Sequence, residues 1–186
     1  MIERLRRLEV AVRMAVFGVF FVALIFGIAG CGETEAIQAT HEAEEVPMPE
    51  PRPEDVATID GIIAAYYEVV SGPAGESSDQ ERDRSLHHPD AWVAIANVDS
   101  AGTPFVNVTP LDGYYGANAP RAEGFWEWET DRVVQRSGNM VHVWSHYATA
   151  REEGGEPYYQ GVNSITLFYD GERWWVMGWM FDGAAG

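Results

Sequence analysis

Short turn sequences divide the last third of the chain into apolar segments, and this division restricts the possible folds more than any other feature. Stretches rich in branched and aromatic residues are interrupted at three places, by Gly138-Asn139, the segment 153–156 and Asp170-Gly171. Turns of this composition join neighbouring antiparallel strands. The sequence therefore predicts a four-stranded meander with strands at 123–136, 140–151, 157–169 and 173–182.

The predicted meander has two mostly apolar faces, because successive side chains of a strand point to opposite sides. The inner face is predicted to hold Val141, Val143, Ser145, Tyr147, Gly161, Asn163, Ile165, Trp174 and Val176. The outer face is predicted to hold Trp144, Phe168, Trp175, Met177, Trp179 and Phe181. A sheet that is apolar on both sides needs two covers. We expect helices on the inner face and a second copy of the chain on the outer face, so that Trp175, Met177, Trp179 and Phe181 form the contact of a homodimer.

Three acidic residues of the first predicted strand, Glu127, Glu129 and Asp131, alternate with Trp126 and Trp128. This alternation places the three carboxylates on one face of the strand. We interpret that face as exposed to solvent. On this interpretation the inner face carries no acid for acid–base catalysis.

The charge of the chain excludes one class of partner. Its 186 residues include 29 acidic and 12 basic side chains, none of them lysine, for a net charge of -17. Such a surface repels phosphate backbones, so we expect no binding of nucleic acid. Cys31 is the single cysteine, which excludes an intramolecular disulfide.

The first 30 residues have the pattern of a secretion signal. Arginines at positions 4, 6, 7 and 13 precede an apolar or small-residue run at 14–30. The run ends in Ile28-Ala29-Gly30-Cys31, which resembles a bacterial lipobox, and the resemblance implies cleavage before Cys31 and lipidation of its thiol. The alternative is a signal anchor retained as a membrane helix. Both place the rest of the chain outside the cytoplasm. By the same resemblance, glycine rather than aspartate at position 32 permits transfer to the outer membrane in a two-membrane bacterium.

Residues 31–53 are predicted to be a disordered tether rather than part of the fold. The segment is acidic and contains Pro47, Pro49, Pro51 and Pro53, with almost no large apolar residue. Such a composition cannot bury a core and favours an extended spacer. The folded domain is therefore predicted at 54–183.

Helical patterns and one hairpin fill the first half of this domain. The apolar periodicity at 54–71 predicts one amphipathic helix. Capping-box spacing from Ser78 predicts a short helix to Leu86, ended by the segment 87–90. Strands at 91–98 and 104–109 form a predicted hairpin, and Thr109-Pro110 begins another short helix.

This order of elements, with the segments HHPDAWVAI, GNMVHVWSHYATA and GVNSITLFYDGERWWVMGW, resembles the SnoaL-like branch of the nuclear transport factor 2-like superfamily over about 55–182. The resemblance implies an α+β fold in which a cone-shaped, curved antiparallel sheet wraps around N-terminal helices. It also implies a pocket between the sheet and the first helix. Catalytic members use an aspartate–histidine or aspartate–arginine pair inside the cone, whereas other members bind ligands or assemble without catalysis. Fold alone does not choose between these roles.

The candidate ligand-pocket residues are Tyr66, Tyr114, Ser145, Tyr147, Asn163 and Trp174. Apolar walls with few polar groups suit a small, mostly apolar ligand. We therefore expect an envelope-tethered domain that binds such a ligand, or a protein partner, without catalysis. Two alternatives stay open: an assembly domain whose interior is filled by its own side chains, and an enzyme.

The enzyme hypothesis is a dehydratase, isomerase or hydrolase that uses His87 or His146 with Tyr147. No metal site is predicted, because His142 and His146 are separated by about 13 Å along a strand and no other set has ligand spacing. No glycine-rich phosphate loop or nucleophile elbow occurs, so no cofactor is predicted.

Overall fold

The computed structural model describes residues 48–116 and 118–183. Within them the helices are α1 Pro53–Val56, α2 Ile59–Glu68, α3 Gln80–Leu86 and α4 Leu111–Tyr115. The strands are β1 His87–Val98, β2 Pro104–Pro110, β3 Trp126–Ser137, β4 Met140–Ala150, β5 Tyr159–Tyr169 and β6 Trp174–Asp182. The predicted secretion signal, the lipidation site at Cys31 and the tether up to residue 47 lie outside the described residues.

The described strands form one mixed sheet in the order β2-β1-β6-β5-β4-β3. Strands β3 to β6 are antiparallel neighbours in chain order, which confirms the predicted meander. The hairpin of β1 and β2 joins the sheet through a parallel pairing of β1 with β6. The α+β architecture expected from the sequence is therefore present in this part of the chain.

The prediction of one helix at 54–71 is wrong, because α1 and α2 are separate. Thr58 has an extended backbone, and its side chain accepts a hydrogen bond from the backbone N–H of Gly61 at 2.9 Å, which caps a new helix. A Cβ on Gly61 would lie 2.3 Å from the carbonyl oxygen of Glu54. The two helices therefore approach each other too closely at Gly61 for a side chain.

The start of α3 and the segment after it also differ from the prediction. Asp79, not Ser78, is the N-cap, and its carboxylate accepts from the backbone N–H of Arg82. His87 does not end the helix in a loop but begins β1 directly. The helix and the strand are thus joined without a connecting loop, which fixes His87 in the core.

The core lies between α2 and the inner face of the sheet. Ile62 and Ile63 of α2 are fully buried, as are Val141, Val143, Ile165, Leu167 and Val176 of the sheet. The predicted inner face is therefore confirmed for Val141, Val143, Ile165 and Val176, and Leu167 lies on the same face. Each such side chain stabilises the fold by about 1.5–3 kcal/mol through removal from water.

A β-bulge in β6 changes the face of its last residues. Leu167 pairs with Val176 and Thr166 with Gly178, so Met177 is the extra residue. The residues after Met177 consequently exchange faces, and Trp179 is only 4% exposed. The prediction that Trp179 and Phe181 lie on an outer dimer face is wrong, because both point to the inside of the sheet. Trp175 precedes the bulge and pairs with Phe168 on the outer face.

Candidate functional site

A cavity of about 340 Å³ lies on the inner side of the sheet, and we call it the inner cavity. All four strands of the meander contribute to its wall, and α2, α3 and α4 close it. Its lining residues are Tyr66, Val70, Asp83, Tyr114, Phe125, Glu127, Tyr147, Thr149, Tyr158, Tyr159, Asn163, Trp179, Phe181, Asp182 and Gly183. Aromatic side chains dominate the wall, and the carboxyl groups are few.

Trp179 is the centre of the aromatic wall. Its ring centroid lies 5.6 Å from that of Tyr66 and 5.4 Å from that of Tyr114, in both cases edge to face. It also lies 5.0 Å from the ring of His87. Edge-to-face pairs contribute about 0.5–1.5 kcal/mol each beyond their burial, so this cluster holds the wall in one arrangement.

Glu127 points into the molecule, contrary to the prediction that it faces solvent. Its strand position is opposite Thr149, and its backbone N–H donates to the Ser71 hydroxyl at 2.9 Å. Burial raises the pKa of the Glu127 carboxyl to about 8. Among the described residues its side chain has no hydrogen-bond or ion-pair partner. The carboxyl is therefore protonated at neutral pH and can donate a hydrogen bond into the cavity.

Glu129 also lies inside but is bound to other groups. The Asn163 amide donates to the Tyr67 hydroxyl at 3.3 Å, the Tyr67 hydroxyl lies 2.7 Å from that of Ser145, and Ser145 donates to Glu129 at 2.5 Å. The Arg132 guanidinium binds the other oxygen of Glu129 at 2.8 Å. Ser145 is therefore a structural link between α2 and β3, not a lining residue of the inner cavity.

The prediction that Glu127, Glu129 and Asp131 share a solvent face is thus wrong for two of the three. A β-bulge lies between Glu129 and Asp131, so that Glu129 is opposite Tyr147 whereas Asp131 is opposite His146. Only Asp131 is exposed on the outer side. The irregularity separates acids that simple alternation places together.

An acid–histidine contact lies beside the inner cavity. The Nδ1 of His87 lies 2.8 Å from the backbone carbonyl oxygen of Asp83 and 3.3 Å from its carboxylate. Burial raises the pKa of Asp83, which lines the cavity. His87 itself is completely buried behind Tyr66 and Trp179, and its Nε2 has no hydrogen-bond partner within the described part of the chain. The spacing of four residues between Asp83 and His87 was the available signal in the sequence.

The other predicted site residues separate into two groups. Tyr66, Tyr114, Tyr147 and Asn163 are brought together in the wall of the inner cavity. Trp174 is buried elsewhere, against Tyr169 and under the guanidinium of Arg136. It lines a separate groove near the α1–α2 junction and not the inner cavity.

The predicted pairing of His146 with Tyr147 is wrong. Adjacent strand residues point to opposite faces. Tyr147 lines the inner cavity, whereas His146 lies opposite Asp131 and Val162 on the outer face. The two side chains cannot act on one substrate.

A second and larger cavity, of about 610 Å³, lies between α2 and the edge strand β3, and we call it the edge cavity. It is lined by Ile63, Ala64, Tyr67, Glu68, Ser71, Trp126, Glu127, Trp128, Glu129, Arg132, Glu153 and Gly154. Glu127 belongs to the linings of both cavities. No pattern in the sequence predicts this second cavity.

The described residues contain neither a group suited to a metal ion nor a helix suited to cross a membrane. They contain no group of three or more histidine, cysteine, aspartate or glutamate side chains placed to hold a metal ion. Among them, no helix combines the length and the hydropathy needed to cross a membrane.

Comparisons with known proteins identify similar structures but no family. The sequence matches no protein-family model and no curated protein. An NTF2-like protein of unknown function from Shewanella baltica OS155 is 12% identical, with a TM-score of 0.42 over 64% of this chain and 86% of that one. A protein of unknown function with a cystatin-like fold, from Nostoc punctiforme PCC 73102, is also 12% identical, with a TM-score of 0.42 over 65% and 85%. Likenesses of this size assign neither a family nor a function to the chain.

Proposed function

We propose that the domain binds a small, mostly apolar molecule in the inner cavity and that Glu127 is the anchor for its one polar group. The main support for this proposal is the Glu127 carboxyl, which borders an aromatic cavity and has no partner in the described residues. Its pKa of about 8 makes it a hydrogen-bond donor at neutral pH. A protonated carboxyl donates one hydrogen bond, which suits a ligand carbonyl or ether oxygen. The aromatic wall around Trp179 supplies the apolar contacts.

The size of the inner cavity supports a small ligand. Its 340 Å³ is near the lower end of the range for small-molecule pockets, roughly 300–1,000 Å³. The other polar side chains of the meander strands in its lining are Tyr147, Thr149, Tyr159, Asn163 and Asp182, and of these only Asp182 carries a carboxyl group. Neutral polar groups among aromatic rings give orientation without demanding a strongly polar ligand.

Two substitutions at Glu127 test the proposal. Acetophenone, a small aromatic ketone, serves as the probe in a titration followed by NMR. Glu127→Gln keeps a hydrogen-bond donor and should retain the affinity within about threefold, whereas Glu127→Leu should lose about tenfold or more. Equal affinities of the wild type and Glu127→Leu would contradict an anchoring role. In a separate experiment, mass spectrometry of an organic extract of the purified protein would identify the natural ligand.

A second candidate function is acid–base catalysis in the same cavity, as a dehydratase, isomerase or hydrolase. The specific observation is that a carboxyl with a pKa of about 8 is mostly protonated at neutral pH but keeps an ionised fraction, and a group whose pKa lies near the working pH suits general acid or base catalysis. On this hypothesis Glu127→Gln retains binding but abolishes turnover, and the rate in the wild type has an inflection near pH 8. Unchanged turnover in Glu127→Gln would exclude Glu127 as the base.

We further propose that the domain is a SnoaL-like member of the nuclear transport factor 2-like superfamily. The order of three helices, hairpin, short helix and meander supports this assignment, together with the packing of α2 on the inner face of the sheet. An experimental structure with α2 away from the sheet would contradict it.

The proposed location is the cell envelope, with the domain attached to a membrane through lipidated Cys31. The arginines, the apolar run and the lipobox-like sequence support this location. Cys31→Ala should prevent labelling of the chain by radioactive palmitate in growing bacteria. Labelling that persists in this variant would contradict lipidation at Cys31, and a retained membrane helix would then explain any membrane association.

A homodimer through the outer face of the sheet also remains a proposal, now with a different contact. One row of paired residues crosses all six strands: Val108, Ala94, Met180, Ser164, Trp144 and Val133. Four residues of the row are exposed: Val108, Met180, Trp144 and Val133. At ~4.8 Å per strand the row spans about 24 Å, which is comparable to the breadth of a standard interface. Trp144→Glu should convert a dimer to a monomer in light scattering, and a wild type that is monomeric at micromolar concentration would refute the proposal.

A further inference from the structure

We propose that the edge cavity is a second binding site, which takes an organic cation with an alkylated ammonium group. Its volume of about 610 Å³ is within the range for small molecules and exceeds that of the inner cavity. Its lining combines three aromatic residues with four glutamates and one arginine. Aromatic faces and carboxylates together are the groups that recognise a desolvated ammonium ion.

Ion pairs within the protein account for only part of this negative charge. Arg132 binds Glu129 at 2.8 Å and Asp60 at 2.9 Å, and Arg82 binds Glu68 at 2.9 Å. Glu127 and Glu153 have no cationic partner among the described residues. The lining therefore offers a cation the Glu153 carboxylate, and also the Glu127 carboxyl, which is neutral at pH 7 until a bound cation favours its ionised form.

The aromatic part of the lining lies on both sides of β3. Trp126 and Trp128 alternate with Glu127 and Glu129 along the strand, so their side chains leave it from the opposite face. The cavity borders both sets because β3 is an edge strand of the sheet. Tyr67 completes the aromatic lining from α2, and burial raises the pKa of its phenol to about 12, so the ring stays neutral.

A cation in this cavity favours the ionised form of Glu127, because opposite charges lower the free energy of the carboxylate. Binding should therefore release protons below pH 8 and become tighter as the pH rises toward 9. In addition to Glu127, the linings of the two cavities contain these ionisable groups: Tyr66, Tyr67, Glu68, Asp83, Tyr114, Glu129, Arg132, Tyr147, Glu153, Tyr158, Tyr159 and Asp182.

The test compares choline with 3,3-dimethylbutan-1-ol, its uncharged analogue of the same shape, on the full-length chain at 150 mM salt. Binding is followed through the indole N–H signals of Trp126 and Trp128 in NMR spectra. We expect choline to bind at least about tenfold more tightly than the alcohol, because only the cation interacts with the aromatic faces and the carboxylates. Equal binding of the two compounds, or no binding of choline, would overturn the proposal.

Two variants locate the site. Trp128→Leu should weaken choline binding about tenfold through loss of an aromatic face, and Glu153→Gln about threefold through loss of charge. Glu172→Gln removes the same charge from an exposed turn far along the sequence and serves as the matched control, with affinity unchanged within about twofold. If Trp128→Leu does not fold, Glu153→Gln decides the question. Equal losses in Glu153→Gln and Glu172→Gln would mean that choline senses only the net charge of the protein.

Discussion

Glu127→Gln should change how the stability of the domain depends on pH. The free carboxyl has an ordinary pKa of 4.5, and burial raises it to about 8 in the folded chain. Between these values the folded state binds more protons than the unfolded state, so the free energy of unfolding decreases as the pH rises. The stability linked to this carboxyl is fully present below pH 4.5 and is lost as the pH passes 8.

The expected size of the effect follows from the shift. The interval between 4.5 and 8 corresponds to about 5 kcal/mol at ~1.4 kcal/mol per pH unit, an upper limit because the carboxyl borders two cavities. Glutamine is neutral at every pH and does not have this penalty. Relative to the wild type, Glu127→Gln should therefore be nearly equal in stability at pH 4.5 and more stable by several kcal/mol at pH 9.

Urea unfolding of both proteins at a series of pH values measures this difference. The carboxyl group of Asp83 also has a raised pKa and gives a slope of the same sign, but it is present in both proteins and cancels in the comparison. Glu172→Gln in the exposed β5–β6 turn is the control and should follow the wild type. A constant difference between Glu127→Gln and the wild type from pH 5 to 9 would refute the burial of an ionisable Glu127.

Three further substitutions, and one comparison variant, test the fold around the cavities. Thr58→Ala removes the N-cap of α2 and should lower the free energy of unfolding by about 1 kcal/mol in urea titrations. Gly61→Ala places a methyl group 2.3 Å from the Glu54 carbonyl and should destabilise by about 1–3 kcal/mol, although alanine favours helices; a gain in melting temperature would contradict the close approach. Trp179→Ala should cost about 3–5 kcal/mol because the ring is buried among Tyr66, Tyr114 and His87, whereas exposed Trp144→Ala should cost less than about 1 kcal/mol in the monomer.

Local patterns were sufficient to predict the meander and most of its inner face. Turn residues between β3, β4, β5 and β6 identify the reversals, and alternation assigns the faces as long as the strands are regular. Long-range contacts were not predictable in this way. The parallel pairing of β1 with β6 joins segments far apart in the chain, and no residue of β1 specifies it.

The two bulges explain the errors in the candidate site. A bulge changes the alternation by one residue, so every later assignment on that strand is inverted. The sequence of β6 contains one signal for its bulge, Gly178, because glycine inside a strand often accompanies a bulge or a close contact. A Cβ on Gly178 would lie 2.5 Å from the ring of Trp92, which crosses the strand at this point. In β3 the bulge near Thr130 has no comparable marker, so Glu129 and Asp131 could not be separated from sequence.

The bulge in β6 also supports the proposed binding of a ligand rather than pure assembly. With regular alternation, Trp179 and Phe181 would enlarge the outer apolar face and leave the inside of the sheet with smaller side chains. The extra residue instead directs both aromatic rings into the inner cavity, where Trp179 contacts Tyr66 and Tyr114. Aromatic rings around an unfilled space lose part of their dispersion contacts, and a molecule in the cavity restores them. The apolar area that the bulge moves inward is therefore better explained by a molecule that occupies the cavity than by a second subunit outside it.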